Sequence, residues 1–350
     1  MSIEARLELL LKILSIPLEE GSKRWASREA YTVYKYWRKL ELISEGEYEQ
    51  VFSERKLRSN VIMITFFRSV DRHFPPKLYK NGVVADVGSG FGFITFWLIL
   101  SGARMVHSIG DAERISFISD LYEKAVSRGL LPADRLTITP EFVKVGDLTL
   151  SKKISKGSVD LVLLNDTLEH ITPRIFPWLV KASYNDLRPG GYFISRQQNT
   201  DSPATRKILK AVWEEGERNI FIEQRARIIR QKAPGIDEAD LRALAERTRG
   251  MDSVDFELAI QKFLNNKVLP QLDRNAPPID VETDVPHEGD TSIQRIVTEF
   301  EQNGFSYTKV YPELMTSRRS RPFQSLGFAF PKLFLGSHIF DRSTIFRIRK

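Results

Sequence analysis

Cysteine is absent from this sequence of 350 residues, and its absence removes several kinds of chemistry. Disulfide bonds, cysteine-ligated zinc and thiol nucleophiles are all excluded. A chain without cysteine fits a reducing compartment. We therefore expect a cytoplasmic protein.

Long apolar runs are missing as well. The stretch FITFWLIL at 93–100 is far shorter than the roughly 20 residues that a membrane-spanning helix needs. The first residues, MSIEARLELLLKIL, carry charged side chains among the apolar ones, which the apolar region of a signal peptide would not. The sequence predicts no transmembrane segment, while peripheral contact with a membrane stays open.

The formal charge of +7 is concentrated at the C-terminal end. Nine cationic and two acidic residues follow Phe305, which equals the whole excess. The cluster of Arg318, Arg319 and Arg321 would attract an anionic partner, or it is simply a solvated surface. RNA readers usually show aromatic platforms interleaved with basic residues, so we do not expect a nucleic-acid partner.

The predicted elements divide the chain into four parts. Residues 1–80 form an N-terminal helical segment, 81–200 alternate strands with helices, 201–290 form a helical insertion or cap, and 291–350 return with a helix and closing strands. Five strands are predicted in the second part, at GVVADVG, ARMVHSIG, TPEFVKVGD, VDLVLLND and RPGGYFIS. The alternation predicts an α/β fold with helices on both faces of a parallel sheet.

The stretch DVGSGFG at 86–92 is the most informative one. Glycines at the end of a buried strand let backbone amides and a helix N-terminus approach a ligand, since a side chain would block the way. A dinucleotide fingerprint reads G-x-G-x-x-G, whereas the third glycine here comes one residue early and Asp86 precedes the turn. A carboxylate would repel a pyrophosphate and suit a cationic ligand, which argues against a nicotinamide-dependent dehydrogenase. A purely structural turn is the other interpretation.

With four further signals, this turn resembles the class I S-adenosylmethionine-dependent methyltransferases, in particular the branch of ubiquinone-biosynthesis O-methyltransferases and many small-molecule and glycan methyltransferases. The other signals are an acid after the second strand, GD at 146–147, VDLVLLNDTLEHI at 159–171 and LRPGGYFIS at 187–195. The resemblance covers about residues 82–195. It implies a Rossmann-like class I methyltransferase sheet, after whose fifth strand the predicted helical insertion begins, and S-adenosyl-L-methionine as the cofactor.

The resemblance also implies which residues bind that cofactor. Its methionine side would be lined by a set from the glycine turn, which comprises Asp86, Gly88, Ser89, Gly90 and Gly92. Asn165, at the end of the fourth strand, would face the cofactor. This set would make the carboxyl ends of the first and fourth strands the centre of the site.

The ribose and the adenine would be bound by acids farther along the sheet. In the family an acid closes the second strand and holds the ribose hydroxyls, but here Gly110 stands at that position. Either Asp111, one place late, or Glu113 would take the role, and we predict Asp111. Asp147 would lie by the adenine amino group.

The stretch NDTLEHI offers candidate catalytic residues in Asp166, Glu169 and His170. Residues three or four apart share a helical face, and a histidine can take the proton of a hydroxyl nucleophile. Alternatively, Glu169 and His170 only cap and orient the turn, or the three bind a divalent metal, as in RNA-end methyltransferases with a similar acid-x-x-Glu-His run. A metal would need another ligand, and neither His287 nor His338 lies in a motif.

These observations favour an O-methyltransferase for a small-molecule, glycan or lipid-linked acceptor, with an anionic acceptor suggested by the basic tail. We expect the acceptor to bind between the glycine turn, NDTLEHI and the helical insertion. The alternatives are an RNA methyltransferase and a non-catalytic protein that binds the same cofactor on the same fold. No motif specifies the acceptor or the oligomeric state.

Overall fold

The computed structural model describes most of the chain. The described residues are 1–14, 70–71, 74–90, 92–140, 143–165, 167–198, 200–282, 284–287, 289, 292–314 and 341–350. Two of the predicted N-terminal helices, at 28–42 and 60–74, lie wholly or largely outside them. The three tail arginines Arg318, Arg319 and Arg321 lie outside them too.

The described residues contain nine strands. They are β1 (Val83–Val87), β2 (Met105–Ile109), β3 (Leu136–Thr139), β4 (Val159–Asn165), β5 (Leu187–Gln198), β6 (Ile279–Asp280), β7 (Val285–Pro286), β8 (Tyr307–Leu314) and β9 (Asp341–Arg349). Seven form one sheet in the order β3-β2-β1-β4-β5-β9-β8, and β6 and β7 form a separate ribbon. Strands β1 to β5 run parallel, and β9 is antiparallel to β5 and β8. The predicted α/β sheet is confirmed.

The described residues also contain nine α-helices. They are α1 (Ile3–Leu14), α2 (Phe93–Leu100), α3 (Ala112–Ser127), α4 (Phe176–Asp186), α5 (Pro203–Gly216), α6 (Ile222–Lys232), α7 (Glu238–Arg247), α8 (Ser253–Asn266) and α9 (Ile293–Gln302). Several begin at an acid or serine that accepts a hydrogen bond from a first-turn amide, as Asp252 does for α8 and Ser292 for α9. No helix of the described residues is long and apolar enough to cross a membrane.

One predicted strand is wrong. The sequence TPEFVKVGD was expected to supply the third strand, but that strand is LTIT, just before it. It pairs in parallel with β2 from Leu136 opposite Val106 to Thr139 opposite Ile109. Pro140 follows directly and has no N–H to donate, so the ladder ends there. Described residues 143–150 form turns instead.

The two faces of the sheet carry separate apolar cores. On one face α1, α2 and α3 pack against the strands, with Leu10, Trp97 and Ile118 fully buried. On the other face α4 and α9 cover the strands, and Phe300 of α9 packs against Phe193 with ring centroids 4.5 Å apart. Burial on both faces explains the nearly continuous apolar sequence of β1 and β4.

The helical insertion after β5 is confirmed, and it has an apolar core of its own. Helices α6, α7 and α8 bury one another's apolar faces, with Ile229, Leu244 and Phe263 at the centre. Val281, between β6 and β7, belongs to the same core. The ribbon is therefore packed as part of the insertion.

Replacing Phe300 tests whether α9 belongs to the core of the sheet. Phe300 is fully buried and also contacts Phe176 and Phe305. Phe300→Ala should lower the free energy of unfolding by about 3–5 kcal/mol, since it removes a buried ring and leaves a cavity. Urea denaturation measures the loss. Leu258→Ala, at a position that is 46% exposed, should change stability by less than about 0.5 kcal/mol, and equal effects of the two changes would contradict the assignment.

Candidate functional site

The sequence-predicted residues follow the strands at one edge of the sheet. The chain leaves the carboxyl ends of β2, β1 and β4 into Asp111, the glycine turn and the turn Leu168–His170 respectively, while Asp147 lies in the loop after β3. In parallel α/β sheets, ligands bind outside the carboxyl ends of the strands, where the strand order reverses. That reversal lies between β1 and β4. The candidate site is therefore centred on the glycine turn and the turn after β4.

These two turns are locked together by Gly88 and Thr167. A Cβ atom built on Gly88 would lie 2.3 Å from Thr167 Cγ2 and 2.4 Å from Thr167 Oγ1. The Thr167 hydroxyl lies 3.3 Å from the Val87 carbonyl and 3.1 Å from the Asn165 carbonyl, and it can donate to either. Gly88 is thus a glycine because another side chain occupies the space beside it.

Gly90 differs from its neighbours in the turn. A Cβ on Gly92 would lie 3.0 Å from Ile118 and 3.1 Å from Phe96, so Gly92 is packed against protein. A Cβ on Gly90 would meet no described atom within 4 Å. Both residues have positive φ angles. Of the three glycines, Gly90 is the one whose missing side chain leaves open space for a ligand.

Ser89 connects the glycine turn to strand β2. Its hydroxyl accepts a hydrogen bond from the Ser108 hydroxyl at 2.7 Å, and it is buried. The amides of Gly88 and Ser89 both donate to the Ile109 carbonyl, at 2.8 and 3.2 Å. These groups tie the turn to the end of β2, so a ligand would approach over Gly90 and the start of α2.

Asp86 is buried beneath the turn, with 2% of its surface exposed. It accepts a hydrogen bond of 2.6 Å from the Thr95 hydroxyl of α2. Burial raises the pKa of Asp86 from 3.8 to about 6, and the Thr95 hydrogen bond offsets part of the rise. A nearby cation would favour the ionised form of this carboxyl group. Its expected role at the methionine side of a cofactor stays a prediction.

Asp111 caps helix α3. One carboxylate oxygen accepts from the Arg114 amide at 2.9 Å, and the other lies 3.1 Å from the Arg114 guanidinium. The Asp111 side chain is still 44% exposed, and a carboxylate has about four lone-pair sites. A ribose-binding role is therefore compatible with the cap. The side chain of Glu113, the alternative, lies outside the described residues.

Asp147 is exposed in a turn, where it accepts from the Lys144 amide at 2.9 Å. Two exposed apolar residues flank it, Val145 and Leu148. An exposed carboxylate between apolar side chains suits a flat ring with an exocyclic amine. The adenine-binding role of Asp147 stays a prediction.

The turn after β4 brings Glu169 and His170 against the ribbon of the insertion. Glu169 is buried, and its carbonyl accepts a hydrogen bond from the Gly289 amide at 2.5 Å. His170 is partly buried, and its Nδ1 lies 3.2 Å from the Pro286 carbonyl. Asp166 lies outside the described residues. This turn therefore contacts the ribbon of the insertion, while the predicted acceptor site between them stays a prediction.

The metal alternative receives no support from the part of the chain that the structure describes. Within it, no group of three or more His, Asp or Glu side chains is placed to hold a metal ion. His287, which lies after β7, packs its ring against Phe221 with centroids 5.4 Å apart. His338 lies outside the described residues. Metal dependence therefore stays untested.

Two polar residues of the site were missed in the sequence. Thr167 gave no motif signal, because its role depends on the contact with Gly88. Gln197, at the end of β5, is buried, and its side-chain oxygen has no hydrogen-bond partner among the described residues. Since Arg196 pairs with Asn165, Gln197 lies just beyond the end of β4, beside the turn. The polar residues at the end of the apolar strand β5 could have indicated Gln197 as a site residue.

Comparisons with known proteins found solved structures that align with this chain. No protein-family model and no curated protein matches the sequence. A structure from Listeria monocytogenes, described as a candidate S-adenosylmethionine-dependent methyltransferase, aligns with TM-score 0.44 and 14% identity over 81% of this chain and 97% of its own. A SAM-dependent methyltransferase from Archaeoglobus fulgidus aligns with TM-score 0.43 and 11% identity, over 82% and 94%.

A third structure is phosphoethanolamine N-methyltransferase 2 of Haemonchus contortus in complex with S-adenosyl-L-methionine. It aligns with TM-score 0.39 and 11% identity, over 82% of this chain and 52% of its own. Similarities of this size do not assign a ligand. The assignment therefore rests on the residues of this chain.

The buried Asp86 predicts a pH-dependent effect on stability. Because its pKa is raised to about 6 in the folded state from an ordinary value of 3.8, its stabilising contribution is complete below pH 3.8 and is lost as pH rises through 6. Asp86→Asn should therefore gain stability relative to the wild type across this window, on the order of 2 kcal/mol. Urea denaturation from pH 4 to 8 measures the difference, and a difference independent of pH would contradict the burial of the charge.

Proposed function

We propose that this chain binds S-adenosyl-L-methionine at the glycine turn and transfers its methyl group to an acceptor hydroxyl. The observation that carries the proposal is the open space at Gly90, which lies where the strand order reverses. Open glycines also occur elsewhere in the chain, such as Gly157, so the position of Gly90 at the strand-order reversal is what supports a ligand there.

The residues around this space suit an adenosyl cofactor with a cationic methionine part. Asp86 is a buried acid beneath the turn, whose ionised form a cation would stabilise. Asp111 and Asp147 follow the neighbouring strands and keep carboxylate surface exposed for hydroxyl and amine donors. A dinucleotide would instead bring its pyrophosphate toward the acid. The residues present fit the adenosyl cofactor better.

When bound, the cofactor supplies a methyl group whose bond to sulfur breaks as the bond to the acceptor oxygen forms. The protein holds the acceptor in line with that bond, which is a contribution of positioning. His170, in the turn after β4, takes the proton of the acceptor hydroxyl. Glu169, the preceding residue, is buried in the same turn and would orient His170.

The acceptor binds between the glycine turn, the turn Leu168–His170 and the helical insertion. Gln197 lies beside that turn and offers an amide for a polar group of the acceptor. The proposed acceptor is a small molecule, a glycan or a lipid-linked precursor. An anionic group on it would be attracted by the basic tail, and this remains a hypothesis about residues outside the described part.

A leucine at Gly90 tests the cofactor site. Gly90→Leu should abolish the rise in melting temperature that S-adenosylhomocysteine produces, because the side chain would fill the ligand's place. Gly157→Leu is the matched control, since Gly157 also has a positive φ and open space around its Cα but lies before β4, at the far end of that strand. Both positions have a positive φ, so both variants carry backbone strain. Loss of binding in both, or in neither, would contradict the site.

His170→Ala tests the proposed base. Turnover should fall by roughly 10²- to 10⁴-fold, the range for general acid–base catalysis, while the affinity for S-adenosylhomocysteine changes little. A panel of phenols and alcohols serves as acceptors, and release of S-adenosylhomocysteine is the readout. A variant that loses cofactor affinity and activity together would indicate an orienting role for His170 instead. If the wild type binds cofactor and methylates none of the panel, a non-catalytic binding protein becomes the better explanation.

A further inference from the structure

A short segment of the insertion, which follows its helices, contacts the turn that carries His170. We call it the bridging segment, and it consists of residues 278–282, 284–287 and 289. It contains the ribbon strands β6 and β7, which pair through Ile279 opposite Pro286. The segment forms hydrogen bonds with the helices of the insertion on one side and with the turn on the other.

On the insertion side, the bridging segment is held by side chains of three helical elements. The Asp284 carboxylate accepts from the amide and the hydroxyl of Ser253, at 2.6 and 2.8 Å. The His287 ring packs on Phe221, and a Cβ on Gly216 would lie 2.9 Å from that ring. Gln224 donates to the Asp280 carboxylate at 2.8 Å. The segment is therefore fixed to the helices of the insertion at several points.

On the sheet side, two contacts fix the segment to consecutive residues of the turn. The Gly289 amide donates to the Glu169 carbonyl at 2.5 Å, and the Pro286 carbonyl lies 3.2 Å from His170 Nδ1. A Cβ on Gly289 would lie 2.6 Å from the Glu169 carbonyl oxygen. This close approach is possible because position 289 has no side chain.

The Pro286 contact determines the proton arrangement of His170. A carbonyl oxygen only accepts hydrogen bonds, so Nδ1 must carry the hydrogen. In the neutral imidazole the lone pair then belongs to Nε2. A base needs an unprotonated nitrogen, and Nε2 is therefore the atom through which His170 can act.

We propose that the bridging segment is a positioning element that holds His170 in the Nδ1–H tautomer, so that Nε2 accepts the proton of the acceptor. The catalytic part of this statement rests on the proposed function, whereas the tautomer does not. Pro286 acts through His170 and does not itself touch the reacting atoms. The insertion thus sets the proton state of the base and encloses the acceptor as well.

The tautomer can be measured by ¹⁵N NMR on the full chain with labelled histidine, at a pH of about 8, where an ordinary imidazole is neutral. The protein has 5 histidines, and His170→Ala identifies the signals of this one. We expect a single tautomer with the proton on Nδ1. A proton on Nε2, or an even mixture in the wild type, would overturn the proposal.

Two alanine variants test the bridging segment. Gly289→Ala must separate the segment from the turn, whereas Gly235→Ala, in the same insertion, has no described atom within 4 Å of its Cβ. We expect a mixture of His170 tautomers in the first variant and the wild-type tautomer in the second. An unchanged tautomer in folded Gly289→Ala would refute the positioning role. If that variant does not fold, Phe221→Leu loosens the other end of the segment and should shift the tautomer in the same direction.

Binding of S-adenosylhomocysteine distinguishes a failure of the proposed function from a failure of the positioning role. Its dissociation constant in both variants should stay close to that of the wild type, because neither glycine lies in the glycine turn. Failure of the wild type to bind would remove the proposed function and leave the tautomer result standing. Normal binding with the wrong tautomer would refute the positioning role of the bridging segment and leave the proposed function standing.

Discussion

The contact between Gly88 and Thr167 is the constraint on which the rest of the site depends. It brings the chain leaving β1 and the chain leaving β4 closer than any side chain on residue 88 would allow. Once these two turns are fixed, the geometry of the edge follows. Gly90 faces open space on one side of the contact, and Glu169 and His170 follow Thr167 on the other.

A buried charge lies beneath this contact. Asp86 belongs to β1, and its buried carboxyl group accepts a hydrogen bond from Thr95 of α2. Burial of a carboxyl group costs free energy when the group is ionised, so its presence calls for a compensating gain. The proposed function supplies one, because a cationic ligand above the turn would stabilise the charge. Under this account, stability in the empty protein is given up for affinity.

The insertion adds the second half of the site. Its helices bury an apolar core that is separate from the two cores of the sheet. The bridging segment then connects it to Glu169 and His170 through main-chain groups. Main-chain contacts leave no trace in residue types, apart from the glycine at 289.

Local patterns made much of this architecture predictable from sequence. Alternation of apolar strands and helices was sufficient for the α/β class, and the insertion was visible as four helical stretches in a row. Turn motifs also singled out Gly90 and Asn165 as candidate site residues, and their roles toward a cofactor stay predictions. The third strand was misplaced because VKV has strand-forming residues. The strand that pairs with β2 instead ends at Thr139, since Pro140 has no N–H to continue the ladder. Thr167, Gln197 and the bridging segment depend on packing between distant parts of the chain, which no local pattern encodes.

Native mass spectrometry of the wild-type chain with S-adenosyl-L-methionine, S-adenosylhomocysteine and NAD in parallel would identify the ligand of the glycine turn. We expect one molecule of either adenosyl compound to bind per chain, and no NAD, because an acid precedes the turn and the third glycine comes one residue early. Binding of NAD without either adenosyl compound would contradict this expectation.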